Sequence, residues 1–279
     1  MTGSVSSILK RLFRDEARFS AAHGNGHQVF LDLFGGAGGI AGPMRRAGHG
    51  CLVFDINRGA HFDLTSPTIF NIVCGWMRGK CINGIFLGTP CTTFSMARRG
   101  PLGRGDGPLR TGLFPYGVPN LSPLDRAKVD YRNKLALQSI KLINCARRHQ
   151  VLAALENPGA SRLFRFPPFA RLLKSKDACS LMFDMCSFGT RWRKRTRIVS
   201  WGFTCDLPSA RLCQGKKGFC SFSDKRHIEL MGRDTLSKTL WTSLAQTYPT
   251  PLCRDVASCL ASASNNAGLC AMARRLCGL

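Results

Sequence analysis

Three side chains that could do chemistry lie in or shortly after short apolar runs of the sequence. Asp32 lies within VFLDLFGGAGGI, Cys91 comes three residues after the end of INGIFLG, and Glu156 directly follows VLAAL. A thiol and a carboxyl group that meet at one site could act as a nucleophile and a general acid. A cysteine after an apolar strand is more often an inert core residue. Cys91 is a candidate nucleophile because Glu156 is expected at the same edge of the sheet.

The glycine turn after the first apolar run indicates a site where the backbone approaches a ligand closely. Gly36, Gly38 and Ala41 satisfy the G-x-G-x-x-A fingerprint of dinucleotide sites. Asp32 argues against a dinucleotide as the ligand. A carboxylate repels a phosphate by roughly 4 kcal/mol at about 4 Å in a medium of effective dielectric near 20. S-adenosylmethionine fits better, since it carries an ammonium and a sulfonium group and no phosphate. No Gly-Lys-Ser/Thr follows, which excludes a P-loop.

Two further aspartates follow the second apolar run. Asp55 directly follows CLVF, about where an acid binds the ribose hydroxyls in nucleoside-binding α/β folds. Asp63, in HFDLT, is a candidate for the adenine edge. The alternative for both residues is that they cap helices or turns.

The elements that must position these residues are predicted by the spacing of the apolar runs. The runs are too short for buried helices, and the stretches between them are long enough for crossover helices; they are Val29–Phe34, Cys51–Phe54, Ile82–Leu87 and Val151–Leu155. This pattern predicts an α/β fold with a mostly parallel, doubly wound, Rossmann-like sheet. Ligands bind beyond the carboxyl ends of the strands of such sheets, where all the candidate residues fall.

One helix has a clear beginning and end. Ser122 can cap it, Pro123 suits the first helical position, and Asp125 favours the positive end of the helix dipole. Ala136, Ile140 and other apolar residues then recur at helical spacing. The helix is predicted to end near CARRHQ, whose arginines suit a C-terminal turn.

The charge of the chain points to a polyanionic partner. It has 40 lysines and arginines against 16 aspartates and glutamates, a net charge of +24. Nucleic acid is the first candidate and an anionic membrane surface the second, while a non-specifically adhesive basic protein is the alternative. No run of about 18 apolar residues is present, so no membrane span is predicted.

Arginines recur in two stretches. The segment from 96 to 121 is a long loop dense in Gly, Pro and Arg, and such loops are usually functional or disordered. The run CSFGTRWRKRTRIVSW alternates Arg193, Arg195 and Arg197 on one face of a predicted strand. The alternative for this run is a solvated basic strand.

The 14 cysteines are interpreted as reduced thiols of an intracellular, non-secreted protein, because there is no apolar signal segment and no C-x-x-C pair. Cys205, Cys213 and Cys220, with His227 nearby, come closest to a metal cluster. Their gaps are wider than those of zinc sites, so no metal is predicted.

Four motifs taken together resemble the cytosine-5 DNA methyltransferases. DLFGGAGG, GTPCTTFS, ENP and RKRTRIVS are similar, in this order, to the cofactor, nucleophile, acid and arginine motifs of that family. LAQTYPTPLCRDVA resembles the last motif, which folds back to complete the cofactor pocket. The likeness extends from about Gln28 to Ala263, and it implies the fold of the S-adenosylmethionine-dependent methyltransferases.

The resemblance implies a role for each catalytic candidate. Cys91 would add to ring carbon 6 of cytosine, so that ring carbon 5 attacks the sulfonium methyl group. Glu156 would protonate or hydrogen-bond ring nitrogen 3. Arg197 would hold the ring oxygen, and Arg195 matches the first arginine of the motif. The target cytosine would have to be flipped out of its duplex.

The resemblance also implies binding residues and partners. The cofactor would be S-adenosyl-L-methionine, bound by Asp32, Phe34, Gly36, Gly38, Gly39, Asp55, Ile56, Asp63, Thr89 and Pro90. Double-stranded DNA would contact Arg98, Arg99, Arg104, Arg193 and Lys194. The enzyme would act as a monomer, in the nucleus of a eukaryote. RNA as substrate, or a nucleic-acid-binding module without turnover, remains an alternative.

The implied organisation divides the chain into five parts. Residues 1–27 are a flexible leader or a short amphipathic helix, 28–201 the catalytic domain, 202–237 a short, irregular and basic target-recognition-like region, 238–263 a C-terminal helix and 264–279 a tail. The family pattern is broken at Thr89 and Thr92 around the cysteine, at Pro158 after the acid, and at Thr247-Tyr248-Pro249, where the last motif has Gly-Asn. The short region 202–237 predicts weak or partner-supplied sequence readout.

Overall fold

A six-stranded mixed sheet forms the centre of the protein, in a computed structural model that describes residues 4–96 and 107–277, with side chains up to residue 266. The strands stand in the order β2-β1-β3-β4-β6-β5, and the first four are mutually parallel. Their bounds are β1 Val29–Leu33, β2 Gly50–Phe54, β3 Gly84–Leu87, β4 Leu152–Pro158, β5 Ala178–Asp184 and β6 Arg195–Trp201. The prediction of an α/β fold with a mostly parallel sheet is therefore confirmed.

The chain reverses its direction across the sheet between β1 and β3. It moves from β1 outward to β2 and then returns to the other side of β1 with β3 and β4. The carboxyl ends of β1 and β3 therefore flank a topological switch point, which is where open α/β sheets have their ligand crevice.

The last two strands differ from the sequence-based expectation. β5 was not predicted, because it is an edge strand whose residues are mostly half-buried or exposed and give no clear apolar run. β6 is antiparallel to both β4 and β5. Its amino end therefore lies at the same edge of the sheet as the carboxyl ends of β1 to β4.

Two apolar layers cover the sheet. One face packs against the helices α1 (Val5–Ala22), α3 (Pro67–Arg78), α4 (Pro123–Arg148) and α5 (Pro167–Leu172). The other face packs against α2 (Ala41–Arg46) and α7 (Thr250–Cys277). Because side chains alternate along a strand, Leu31 and Leu33 of β1 face the first layer, whereas Phe30 faces the second, and Asp32 with it.

The N-terminal segment is a packed helix, so the expectation of a flexible leader is wrong for residues 5–22 and that of an amphipathic helix holds. Leu9 is fully buried against the sheet-side core. Glu16 pairs with Arg45 and accepts a hydrogen bond from the Cys51 N–H at 2.8 Å. Gly50 allows this close approach, because a Cβ there would lie 2.5 Å from the Glu16 carbonyl oxygen.

Helix α4 begins and ends where the sequence predicts. Ser122 accepts a hydrogen bond from the Asp125 N–H at 3.1 Å, and Pro123 is the first helical residue. The helix ends at Arg148, in the predicted CARRHQ segment.

The C-terminal part departs from the expected single helix over 238–263 and tail over 264–279. A short helix α6 (Trp241–Leu244) is followed by Thr247-Tyr248-Pro249 and then by α7, which continues to Cys277. Pro249 lacks the N–H that a continuous helix would need. The fully described segment 202–240 contains no helix or strand, apart from isolated bridges. Among the described helices, none has the length and apolarity needed to cross a membrane.

Candidate active site

A cavity of about 520 Å³ opens at the carboxyl ends of β1 to β4. This volume lies within the range of about 300–1,000 Å³ that small-molecule sites occupy. The glycine turn after β1 and the segment after β2 form one end of it. The residues after β3 and the end of β4 form the other end. The C-terminal segment 243–248 completes the wall, and its Tyr248 lies near both Gly39 and Glu156.

Most of the predicted site residues meet in this cavity. Its lining includes Phe34, Gly36, Gly39, Asp55, Ile56, Asp63, Thr89, Pro90, Cys91, Glu156 and Lys194. Of the other predicted residues that the structure describes, Asp32, Gly38, Arg193, Arg195 and Arg197 do not line it. Arg98, Arg99 and Arg104 lie outside the described residues.

Cys91 is held at the cavity by the residues around it. The Asn157 amide donates to the Thr89 carbonyl at 2.7 Å, which joins the end of β4 to the cysteine segment. The Thr89 hydroxyl lies 2.8 Å from the Ser139 hydroxyl of α4. Burial raises the pKa of the Cys91 thiol; Lys194 lowers this pKa in part, and Glu156 raises it. The thiolate is therefore favoured only when a cation stays close.

Glu156 is buried between a phenol and an ammonium group. The Tyr248 hydroxyl donates to Oε2 at 2.7 Å, and the Lys194 Nζ lies 3.8 Å from Oε1. Oε1 has no hydrogen-bond partner among the described residues. Burial and the neighbouring Glu156 raise the pKa of Tyr248 well above its ordinary value, so this phenol remains a donor. One carboxyl oxygen thus accepts from the phenol, and the other is buried beside the ammonium group without a hydrogen bond.

Asp32 lies beneath the glycine turn rather than in the cavity. A Cβ at Gly35 would approach the Asp32 Cγ to 2.5 Å, so the turn can pass over the carboxyl group only with glycine there. Neither carboxylate oxygen has a well-formed hydrogen bond among the described residues. Burial raises the pKa of Asp32 to about 7, although the Ile40 backbone and Arg58 lower it in part. Asp32 therefore supports the glycine turn from beneath and does not line the cavity.

The other acidic residues also shape the turns around the cavity. Asp55 accepts hydrogen bonds from the Gly36 N–H at 2.9 Å and the Asn57 N–H at 3.0 Å. Asp63 accepts from the backbone and hydroxyl of Thr65 at 2.8 and 2.9 Å. The capping alternative therefore applies to both residues, and both still line the cavity.

Gly38 faces away from the cavity, which explains why it is missing from the lining. A Cβ there would lie 2.9 Å from the Arg58 guanidinium and 3.0 Å from Val53. Arg58 in turn donates to the Gly36 and Ala37 carbonyls at 3.1 and 3.0 Å. Gly38 therefore shapes the turn without contacting a ligand in the cavity.

The placement expected for the two arginines of the RKRTRIVS motif is wrong. In the β4–β6 pairing Glu156 is opposite Ile198, and Arg197 is opposite Asn157. Since alternate residues of a strand project to opposite faces, Arg195 and Arg197 point away from the face that carries Glu156. They are bound elsewhere: Arg195 to Asp184 at 3.0 Å, and Arg197 to the Ser180 hydroxyl at 2.6 Å.

Arg193 is also held away from the cavity. Its side chain donates to Asp184 at 3.1 Å and to the Cys213 carbonyl at 2.8 Å. Lys194, in contrast, lies just before the amino end of β6 and reaches the cavity. The cation beside the carboxyl group is thus the lysine between the arginines, a residue predicted only for nucleic-acid contacts.

Two features of the site were missed from the sequence. Tyr248 belongs to Thr247-Tyr248-Pro249, which in the sequence stands out only as a departure from the last methyltransferase motif. Its hydroxyl nevertheless donates a hydrogen bond to Glu156. Arg110 is fully buried, with its guanidinium 3.7 Å from the centre of the Phe94 ring and hydrogen bonds to Thr93 and Asn133 at 2.6 and 2.8 Å. It fixes the segment after Cys91 to α4. A single arginine in a Gly- and Arg-rich loop gives no signal for this role.

The structure brings together four possible metal ligands that the spacing of the cysteines did not indicate, while the prediction of no metal stays a prediction. Cys186, Cys213, Cys220 and His227 place their sulfur and nitrogen atoms within 4.8 Å of one another. The sequence spacing failed because Cys186 comes from the turn Met185–Phe188 after β5, far upstream of the other three. Cys205 is not part of the cluster. The 12 cysteines with described side chains are all free thiols.

No protein-family model matches this sequence, and no curated protein matches it either.

Proposed function

We propose that the protein transfers a methyl group from S-adenosylmethionine to carbon 5 of cytosine in DNA, through a covalent bond to Cys91. The observation that carries this proposal is the meeting of Cys91 and Glu156 in one cavity with the glycine turn and Asp55. The four motifs in family order support it, because each of them contributes a residue to the cavity or to its walls.

The cofactor end of the cavity suits a cation. Asp55 and Asp63 line it and Asp32 lies beneath it, in a chain that has only 16 acidic residues against 40 basic ones. A phosphate group would be repelled there, whereas the ammonium and sulfonium groups of S-adenosylmethionine would be attracted. When bound, the cofactor supplies an electrophilic methyl group. Asp55 and the Gly36 backbone would hold its polar groups, beside the half-exposed Ile56.

The other end of the cavity suits a pyrimidine ring. Cys91 would add its thiolate to ring carbon 6, and Glu156 would bind ring nitrogen 3 through the oxygen that Tyr248 leaves free. Lys194 would take the position expected for an arginine and face the ring oxygen. Its positive charge also lowers the pKa of Cys91, which favours the attacking thiolate.

The final step releases the enzyme. As carbon 5 takes the methyl group, the proton on ring nitrogen 3 would return to Glu156. A solvent water would then remove the proton from ring carbon 5, the bond from ring carbon 6 to the Cys91 sulfur would break, and the thiolate would leave. Cys91 and Glu156 are thereby restored for the next turnover.

A nucleic-acid-binding protein without turnover is the second candidate. The placement of Arg195 and Arg197 favours it, since both point away from Glu156 and bind Asp184 and Ser180 instead. An RNA substrate at the same site is a variant of the first proposal.

The covalent step is tested with a duplex that contains 5-fluorocytosine, whose fluorine blocks release of the cysteine. Wild-type protein and S-adenosylmethionine should give an adduct that survives denaturing electrophoresis, and Cys91→Ser should give none. Cys91→Ser should still bind an unmodified duplex within about two-fold of wild type, because phosphate contacts dominate affinity. Absence of the wild-type adduct on both DNA and RNA would overturn the proposal and favour the binding protein.

Cofactor binding is tested separately by calorimetric titration of S-adenosylmethionine. Asp55→Ala should weaken binding by about ten- to a hundred-fold, the effect of one hydrogen bond to a charged group. Asp130→Ala, an exposed residue of α4 outside the cavity, is the matched control and should bind like wild type. Equal affinity of the two variants would contradict the assignment of the cavity.

A further inference from the structure

The segment 211–240 lacks a hydrophobic core of its own. It is fully described and contains no helix or strand. Its only buried residues are Cys213 and Cys220. Segments with so little apolar burial usually need a disulfide or a metal ion to hold one structure, since the lost chain entropy is not offset otherwise.

The two buried cysteines belong to a four-residue cluster with the geometry of a metal site. The potential ligand atoms of Cys186, Cys213, Cys220 and His227 all lie within 4.8 Å of one another. The Cys213 Sγ is 3.9 Å from the His227 Nε2. Ligand atoms bound at about 2.0–2.3 Å to a tetrahedral centre lie roughly 3.5–3.8 Å apart. The cluster is therefore close to the arrangement that a tetrahedral ion requires.

The backbone around the cluster donates to the sulfur atoms. The Ser221 N–H lies 3.4 Å from the Cys213 Sγ, and the Phe222 N–H lies 3.5 Å from the Cys220 Sγ. The Ser221 hydroxyl also donates to the Cys213 Sγ at 3.5 Å. Such hydrogen bonds favour thiolates and fix their orientation, as the hydrogen bonds to metal-binding side chains do in metal sites.

The turn between the two cysteines is tight. A Cβ at Gly215 would lie 1.8 Å from the Phe219 carbonyl oxygen, so only glycine fits there. Gly218 has a φ of +84°. The His227 N–H donates to the Gly218 carbonyl at 2.7 Å, which brings the histidine back over the turn. Backbone geometry thus directs all three ligands of the segment to one point.

We propose that Cys186, Cys213, Cys220 and His227 bind one structural zinc ion. Three thiolates and one imidazole form a closed tetrahedral set, which is typical of structural zinc sites. The cysteines are buried and leave no side open for a substrate. This site is separate from the cavity, and the proposal does not depend on methyl transfer.

The zinc ion would join the irregular segment to the sheet. Cys186 lies just beyond the carboxyl end of β5, and the other three ligands belong to the segment. The Cys213 N–H donates to the Asp184 Oδ2 at 2.9 Å, and Asp184 also binds Arg193 and Arg195. One ion would therefore fix the segment 211–240 and the arginines before β6 relative to the strands.

Metal content of the purified full chain, expressed in the presence of zinc, tests the proposal. Wild type should hold one zinc ion per chain by mass spectrometry of the metals. Cys213→Ser and Cys220→Ser should retain less than about a tenth of it, because a closed site tolerates no lost thiolate. Cys205→Ser, a buried cysteine outside the cluster, is the control and should retain all of it.

A second measurement uses the wild-type protein and therefore does not depend on whether the variants fold. Removal of zinc from the wild-type protein with a chelator should make the segment 211–240 sensitive to limited proteolysis, and added Zn²⁺ should restore resistance. Cobalt in place of zinc should give the strong absorption of a thiolate-bound ion. A wild type without zinc and without cobalt–thiolate absorption, a disulfide between two cysteines of the cluster, or an equal loss of zinc in Cys205→Ser would overturn the proposal.

Discussion

The cavity and the cysteine cluster lie beyond the same edge of the sheet but are built in opposite ways. The cavity stands on four parallel strands that are buried between two apolar layers. Three of the four residues of the cluster lie on turns of the segment 211–240, whose only buried residues are two of the cluster's cysteines. In the first region the scaffold is independent of the reactive groups. In the second region, the cysteines and the histidine of the cluster are themselves the groups that would hold the segment in place.

Because of this difference, substitutions in the cavity and in the cluster should affect different properties of the protein. A change in a side chain of the cavity should alter chemistry and leave the fold nearly intact, because the strands beneath it keep their packing. A change in the cluster, or in the residues that join it to the sheet, should alter the fold first. The predictions below test that separation in order of decreasing effect.

Glu156→Gln should have the largest effect, and only on turnover. The amide keeps the shape of the side chain and still accepts a hydrogen bond from Tyr248, but it cannot supply a proton to ring nitrogen 3 of the cytosine. The loss of a general acid predicts a decrease in methyl transfer of about 10²–10⁴-fold. Incorporation of labelled methyl groups into a cytosine-containing duplex measures it. A zinc content below that of wild type, or turnover within about three-fold of it, would contradict the separation.

Asp32→Asn should change the pH dependence of stability. The pKa of Asp32 is raised from 3.8 to about 7, so between these pH values the folded protein keeps a proton that the unfolded chain has lost. The free energy of unfolding of wild type should therefore fall as the pH rises from about 4 to about 7, by at most roughly 4 kcal/mol. The variant should lack this decrease.

Urea unfolding of wild type and Asp32→Asn at several pH values between 4 and 8 measures that effect. The other titrating groups are common to both proteins and cancel in the difference. A difference that stays constant with pH would show that the buried carboxyl group is not protonated in the folded state.

Asp184→Asn should destabilise the junction between the sheet and the cysteine segment. Asp184 is fully buried, while the Arg193 and Arg195 side chains that bind it are 37% and 45% exposed. Breaking a fully buried ion pair costs about 3–5 kcal/mol, so a loss of about 2–3 kcal/mol is expected after allowance for solvent screening. Urea unfolding measures this loss.

Asp177→Asn is the matched control for that change. Asp177 pairs with Arg147 at 2.6 Å, but its side chain is 41% exposed, and surface pairs contribute little. It should lose less than about 1 kcal/mol. Equal losses in the two variants would mean that Asp184 does not join the segment to the sheet.

Tyr248→Phe should have the smallest effect. It removes the single hydrogen bond from the phenol to Glu156 and leaves the ring in contact with Phe86. A single hydrogen bond contributes about 0.5–1.5 kcal/mol, so turnover should fall by about two- to ten-fold. Single-turnover rates of methyl transfer measure it. A decrease in the rate as large as that of Glu156→Gln would indicate that the Tyr248 phenol, and not Glu156, supplies the proton to ring nitrogen 3.

The sequence by itself determined the four parallel strands and most of the residues that meet in the cavity. Apolar runs between crossover-length stretches indicate parallel strands, and the carboxyl ends of such strands meet at one edge. Residues after different runs, such as Cys91 and Glu156, are therefore brought together whatever the details of packing. The capped helix from Pro123 was equally visible, because its signals are local.

Only the tertiary structure decided which cation faces the carboxyl group and where the cysteines meet. The face to which Lys194, Arg195 and Arg197 project depends on the register of β6 against β4, and a shift by one residue reverses it. The cluster unites Cys186 with ligands far downstream through turns that have no periodic pattern. Contacts set by register and by irregular turns are long-range properties, and residue spacing along the chain does not contain them.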